Sequence, residues 1–526
     1  MTSTRYDEVP YLSHPMAYTH PEVLAVAALL AGMKPPPIEK ARVLELGCGT
    51  GANLMPMADA LPEATFLGID LSPRQIAMGD EVVRAAGLTN LTLRAQSITD
   101  FDGVGGPFDY IICHGVYSWV PIDVREKIVE ICRRDLAADG LAYISYNTLP
   151  GWHMRGIVRD LLYFHARHFD TSDEQIANSR GLLEMLVTTF GNDLSSFASI
   201  VRGEGERLRD EGDHYLFHEH LETFNEPIYF HQFLEHIAAH DLQFVGEATL
   251  GNLQLQVARE AYDKLAAIAT DPLDLEQYLD FVVSRTFRRS VVCRSELSVR
   301  RHPAPAAIEA MYVTGVLRPM NAEFDVKPGV PEKFDAPRGG TITTGDALLK
   351  TALLILAQRW PASVSFAELR AAVAMRLREA GVDADAMLSQ RIADADPLAV
   401  RLLQCYSLGT IELHSASPRY TTTISDRPQT TNLARLQARE GLPISNGRHR
   451  TADDLNDFDR LLLSHLDGEH DRAALCDVLV TAVQQGKLAI EIGDKSISNS
   501  QAVRTAIREA LEPSLLRLAG SALLMG

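Results

Sequence analysis

The 526-residue sequence predicts an α/β fold, a mostly parallel sheet with helices in its crossovers, followed by largely helical C-terminal parts. Three observations predict it. Short apolar runs alternate with amphipathic stretches over the first 150 residues, as in strand–helix–strand units. The first run opens into a glycine-rich turn, Glu45-Leu46-Gly47-Cys48-Gly49-Thr50-Gly51. The alternation lapses from Trp152 to about Phe224, where the pattern is helical, and resumes afterwards.

Val23–Met33 is apolar but far short of the ~20 residues of a membrane span, so it reads as a buried helix. Val43–Leu46 is the first strand and Ala52–Leu61 the helix after the turn. Thr65–Ile69 is the second strand, ending at Asp70. Pro73–Ala86 is a helix stopped by Gly87. Leu91–Ala95 and Tyr110–Cys113 are the third and fourth strands, and Ile122–Leu136 is an amphipathic helix. Asp139-Gly140 turns the chain into the fifth strand, Leu141–Asn147. After the helical insertion come the helix Tyr229–His240 and the candidate strands Leu242–Glu247 and Asn252–Val257.

Residues 259–320 read as helical, Leu275–Phe287 included, and 321–343, with Pro328, Pro331, Pro337 and Gly339-Gly340, as a linker. Two helical stretches, Thr344–Ala380 and Asp453–Gln485, each lead toward a short apolar run, Gly409–Leu413 and Lys487–Ile492. They suggest two winged-helix-like units. The expected division is 1–155, a cofactor-binding core; 156–224, a helical dimerisation or regulatory insertion; 225–258, completion of the sheet; 259–330, a helical middle region; and 331–526, a winged-helix-like domain.

Composition is that of an ordinary globular chain, 46% hydrophobic and 23% charged. The net charge of −19 repels phosphates and argues against nucleic acid, while it attracts a cationic partner such as a Lys-rich peptide. Six scattered cysteines suggest buried thiols in a reducing compartment, and the polar N-terminus is no signal peptide, so a cytoplasmic protein without stable membrane insertion is expected. No metal is expected. His214, His218 and His220 with Glu219 and Glu222 lack a cysteine nearby, and His236/His240 reads as the outer face of a helix. Arg285, Arg288 and Arg289 read as a salt-bridged domain contact.

The chemistry rests on the turn. Its glycines, Gly47, Gly49 and Gly51, let a ligand approach the backbone at the strand edge, and the helix behind offers N–H groups to a carboxylate. Asp70 ends the next strand, where a carboxylate accepts hydrogen bonds from vicinal ribose hydroxyls. The spacing is G-x-G-x-G, with Glu45 two residues ahead and Ala52-Asn53 where a dinucleotide fingerprint needs its third glycine.

This pattern resembles motif I of class I S-adenosylmethionine-dependent methyltransferases, which implies a seven-stranded Rossmann-like sheet and that cofactor. The resemblance implies that Ser97 and Ile98 hold the adenine, with Ser97 where an Asp is common, and that Asp109–His114 leads to the substrate site. A narrower resemblance covers most of the chain. It rests on Tyr6–Tyr11 with Thr19-His20-Pro21, on His114–Val120, on Ser145–His153, on His218–Glu222 through His231, on Glu276–Arg288, and on Leu466-Asp467-Gly468 with Asp471-Arg472. Together they resemble bacterial methyltransferases with a methyltransferase regulatory domain, among them rickettsial-type protein lysine methyltransferases acting on outer-membrane proteins. The resemblance implies a homodimer, and an N-terminal lid in which Tyr6, Tyr11 and His20 contact the cofactor and Asn53 is a second candidate for its carboxylate.

Only a neutral lysine amine attacks a methyl sulfonium, and an apolar, aromatic channel favours that form. Tyr117 and Trp119 past the fourth strand, and Tyr146 and Trp152 at the fifth, are expected to build such a channel. His114 is expected to orient the cofactor or relay a proton. The expected function is methylation of protein lysine; the alternatives are a small-molecule methyltransferase and a non-catalytic scaffold derived from one.

Overall fold

The computed structural model describes residues 9, 13–249, 257–321, 323–336, 340–392, 394–489, 491–492, 495–496 and 500–526. Seven strands form one sheet: β1 (Arg42–Leu46), β2 (Thr65–Asp70), β3 (Leu91–Ala95), β4 (Phe108–Cys113), β5 (Leu136–Asn147), β6 (Leu242–Glu247) and β7 (Phe287–Arg294). Their order is β3-β2-β1-β4-β5-β7-β6. The first five run parallel, and β7 runs antiparallel to both β5 and β6. Strand order reverses between β1 and β4, so the carboxyl ends of these strands frame a crevice.

Helix α1 (Pro21–Leu30) precedes the sheet; α2 (Leu54–Ala60), α3 (Pro73–Ala86) and α4 (Ile122–Asp135) fill the crossovers. Ser72 caps α3 by accepting from the Gln75 N–H, and Gly87 ends it in the left-handed conformation at φ 71°. α1 is apolar on all sides because it serves two cores. Leu24, Ala25 and Ala28 pack on the sheet, while Val26 and Leu30 pack into the core of residues 308–413.

The insertion after β5 consists of α5 (Gly151–Ala166), α6 (Ser172–Thr189), α7 (Ser196–Asp210) and α8 (Asp213–His220). It has its own core, including Val158, Leu162, Leu183, Val201 and Phe217. α9 (Phe230–Ala239) then leads into β6, and α10 (Arg259–Ile268) and α11 (Pro272–Val283) lead into β7.

Two expectations fail here. The last strand of the sheet comes from 287–294, inside the stretch read as helical; the expected strand Asn252–Val257 lies, but for Val257, outside the described residues. Helix α11 ends where Ser284 turns left-handed at φ 50°, and Val291 and Val292 then suit a buried strand. Arg288 hid the strand from a hydrophobic reading. It is fully buried on β7, bonded to Asp280, Glu247 and Glu276. The segment 321–343 is no bare linker either. Glu332–Ala336 pairs antiparallel with Gly340–Thr344 around the buried Phe334, and Pro328 and Pro331 precede the first of these strands.

The first C-terminal unit packs helices 347–359, 366–379 and 397–407 around a three-stranded sheet of 312–315, 364–365 and 411–414. The second packs helices 432–439, 457–464, 472–484 and 500–520, with a two-stranded wing at 491–492 and 495–496. Among the described residues no helix is long and apolar enough to cross a membrane.

Candidate active site

The turn after β1 packs under the carboxyl edge of the sheet. The Gly47 and Cys48 N–H groups both donate to the Ile69 carbonyl. Gly47 and Gly49 lie at φ 76° and 55°. A Cβ on Gly47 would fall 2.4 Å from Val116 Cγ2, and one on Gly49 would fall 2.5 Å from Ser13 Oγ. The left-handed conformation favours glycine at both positions, and at Gly47 the Val116 side chain leaves no room for a Cβ. The Asp70 carboxylate accepts from the Gly49 N–H at 2.8 Å and the Ser72 N–H at 2.9 Å, which locks it against the turn.

Above this edge lies a cavity of about 400 Å³. Glu45, Gly47, Gly49, Asn53, Asp70, Ser97, Ile98, His114 and Trp119 line it, so the structure gathers nine of the sequence-predicted residues on one surface. Ser97 caps a short turn, accepting from the Thr99 N–H at 3.2 Å, and this presents Ile98 beside it.

Glu45 is the most constrained group. Asn53 Nδ2 donates to its Oε1 at 2.7 Å, while Oε2 is buried without a hydrogen-bond partner among the described residues. Burial, helped by the nearby Asp70 and opposed by the Asn53 bond, raises the carboxyl to about 8. An unpaired, buried carboxyl oxygen on a residue that lines the cavity is a place for a donor.

Several expected residues do other work. Asn53 cannot hold a carboxylate, because Nδ2 also donates to Thr19 Oγ1 at 3.0 Å and Oδ1 accepts from the Met16 N–H at 2.9 Å. Gly51 sits behind the turn, where a Cβ would strike Leu93, and it does not face the cavity. His20 caps α1, its Nδ1 accepting from the Glu22 N–H, and lines a separate cavity of about 1050 Å³. Tyr6 and Tyr11 lie outside the described residues, whereas Ser13, His14 and Met16 line the first cavity.

Tyr117 and Tyr146 are core residues rather than channel walls. Both are buried; Tyr146 stacks on Phe233 at 4.4 Å between centroids, and the Tyr117 hydroxyl meets His236 Nδ1. Trp152 is buried behind Trp119, edge to face at 6.2 Å, and supports it. His114 is held as a neutral imidazole. Burial and the Arg289 charge lower it to about 3, so it stays neutral, bonded to Ser145 Oγ at 2.9 Å and the Tyr143 hydroxyl at 3.1 Å.

Sequence reasoning missed the contributions of distant segments. His218 and Glu219 of α8 line the cavity. His449, in the second C-terminal unit, puts Nε2 2.9 Å from Asn53 Oδ1 across 396 positions. Burial holds His449 neutral, so Nε2–H donates, and its backbone is left-handed at φ 54°. Of the histidines weighed as a metal group, His218 meets the Val9 carbonyl and Glu222, and His220 Nε2 lies 3.1 Å from Glu204. His236 and His240 both meet Glu126.

The strand order, the glycine turn and the acid one strand over define a class I methyltransferase fold. Comparison with known proteins extends this. The pattern described as a methyltransferase domain matches residues 43–140, that of a "Predicted methyltransferase regulatory domain" matches 212–294, and that of a "PKMT, C-terminal winged helix domain" matches 426–523. An uncharacterized protein of Rickettsia prowazekii is 32% identical over 99% of this chain and 93% of its own length. PKMT2 of Rickettsia typhi is 28% identical, with a TM-score of 0.85 over 98% of this chain and all of that one. The same protein in complex with AdoHcy matches at 29% identity, TM-score 0.84 and the same coverage. The chain belongs to this rickettsial-type family of S-adenosylmethionine-dependent class I methyltransferases.

The residues present fit that cofactor: a turn of left-handed glycines, an acid at the edge of β2, and an unpaired buried carboxyl oxygen.

Proposed function

We propose that this methyltransferase modifies lysine side chains of a protein substrate of the outer-membrane-protein type. The observation that carries the reading is Trp119, which lines the cavity next to the cofactor turn and is backed by Trp152. An aromatic face there receives an alkylammonium through its ring quadrupole, at about 0.5–2 kcal/mol, and excludes water around it. The chain's net charge of −19 favours a Lys-rich acceptor, and the PKMT names of its relatives agree.

In this reading Asp70 takes the ribose hydroxyls, Ser97 and Ile98 flank the adenine, and Glu45 Oε2 receives the α-ammonium of the methionine part. The bound cofactor supplies an electrophilic methyl on sulfur. The protein's own part is alignment and dehydration of the amine. The insertion acts as the dimerisation element; Phe164, Met185 and Leu194 are exposed on it.

The test is incubation with methyl-labelled S-adenosylmethionine and two acceptor pools, an outer-membrane protein fraction and a small-molecule extract. Label is expected in N-methyl-lysine of protein; label confined to small molecules overturns the reading.

A further inference from the structure

We propose that Glu219 of the helical insertion receives the acceptor's ammonium and takes its proton, so that the cavity selects a cationic amine. This rests on the lysine reading above.

Three carboxylates line the cavity: Glu45, Asp70 and Glu219. Two belong to the sheet edge and are engaged there by Asn53, Gly49 and Ser72. Glu219 comes from α8, beyond the motifs that define the cofactor site. Its neighbour Arg155 lies over the Trp152 ring at 4.5 Å, and so stands directly behind the tryptophan pair. Arg155 gives its short bond, 2.9 Å, to Glu204, and lies 3.8 Å from Glu219. Among the described residues no hydrogen bond reaches the Glu219 carboxylate. Its side chain is 20% exposed, and it lines the cavity. Glu204 takes the short bond of Arg155, which leaves the Glu219 carboxylate with only the longer ion pair and no hydrogen-bond donor among the described residues, facing a largely apolar cavity whose walls include Ile98, Val116, Val120 and Trp119. A carboxylate in such surroundings calls for a cation.

Burial raises the Glu219 carboxyl above the usual carboxylate range, Arg155 opposing and Glu204 reinforcing the shift. The same desolvation lowers an ammonium. The two changes narrow the gap across which a proton must pass. The step balances: an N–H bond of the ammonium breaks and a carboxyl O–H forms. The freed lone pair then makes the N–C bond as the C–S bond breaks, and the sulfur keeps that electron pair as a thioether.

Other charged and titratable groups face this carboxylate. Arg155 and Arg159 come from α5, Glu204 and Arg207 from α7, and His218 from α8 itself. His14 of the N-terminal segment lines the same cavity. The effect must therefore be read as a difference between wild type and Glu219→Gln, not from one pH profile.

The experiment uses the full chain with labelled S-adenosylmethionine and an outer-membrane protein fraction, from pH 6.5 to 10. Glu219→Gln is expected to lose about 100-fold in rate at pH 7.5. Its cofactor Kd should stay within about 2-fold, and its rate should recover toward pH 10 as the amine deprotonates unaided. A normal rate at pH 7.5, or an equal loss at every pH, overturns the assignment. If Glu219→Gln does not fold, Glu219→Asp decides, with a smaller loss that also recovers at high pH. An arm free of any acceptor protein titrates n-butylammonium onto the AdoHcy-loaded enzyme. About 10-fold weaker binding in the variant is expected for loss of one charged contact; equal binding overturns the proposal. Label found on lysine with Glu219→Gln fully active defeats Glu219 alone, whereas label found only on small molecules defeats the lysine reading.

Discussion

The two sides of the cavity are built differently. The sheet side is local: Glu45, Gly47, Gly49 and Asp70 fall within 26 residues, and each is fixed by hydrogen bonds to the next strand or turn. The insertion side is assembled from afar. Trp119 follows β4, Trp152 and Arg155 begin α5, and Glu219 arrives on α8, held by packing and by an ion-pair cluster. The contrast teaches that the cofactor end is a short-range device, whereas the proposed acceptor end depends on the insertion being folded and docked. Mutations on the sheet side should therefore act on cofactor affinity, and mutations on the insertion side on turnover.

The strongest test of that division is Asp70→Ala. In the proposed binding mode it removes a charged acceptor for two hydroxyls, and it frees the Gly49 and Ser72 N–H groups. At about 1.5–3 kcal/mol per charged hydrogen bond, cofactor affinity should fall at least about 100-fold by calorimetry. Unchanged affinity would break the sheet-side account. Arg288→Met probes the frame rather than the site. It strips a buried cation from Asp280, Glu247 and Glu276, and should cost about 3–5 kcal/mol, read as a lower denaturant midpoint.

Trp119→Ala sharpens the comparison from the other side. Loss of the ring face and of its contact with Trp152 should lower kcat about 10-fold while cofactor Kd stays within about 3-fold. Equal losses in both would place Trp119 with the cofactor. His449→Ala crosses the division, because a residue of the C-terminal unit steadies Asn53 and thereby Glu45. One lost buried hydrogen bond of about 1 kcal/mol predicts about 5-fold weaker cofactor binding.

The last effect concerns folding stability and pH rather than binding or turnover. Glu45 is raised to about 8 in the folded protein, against about 4.3 in an unfolded chain. The folded state therefore holds the proton more tightly. Stability from this group is fully present below the unfolded value and is lost as pH climbs toward 8. A bound α-ammonium favours the carboxylate, so the decline should shrink with cofactor present and vanish in Glu45→Gln; denaturant titrations at pH 5 and 8 measure it.

The helix Pro73–Ala86 and the strand Leu91–Ala95 were legible to the residue, because a proline start, a glycine stop and strict alternation are local signals. Strand β7 was not. Its central arginine breaks the apolar run, and only three acids from β6 and α11 make that burial tolerable. The tyrosines misled for a similar reason. Tyr117 and Trp119 are two positions apart on a short turn, yet one points into the core against Phe233 while the other lines the cavity. Residue type and position at a strand end are the same for both, so only packing separates them.

What the sequence determined by itself was the cofactor turn, since positive φ and close backbone approach favour glycine, together with the acid one strand over. What tertiary structure decided was the rest of the site: which aromatic faces the cavity, that desolvation and the Arg289 charge keep His114 neutral, that Glu219 reaches the cavity, and that His449 reaches Asn53 on its wall. Side-chain burial, and the charges that surround a group, are properties of contacts between segments remote in the chain, and no local pattern encodes them.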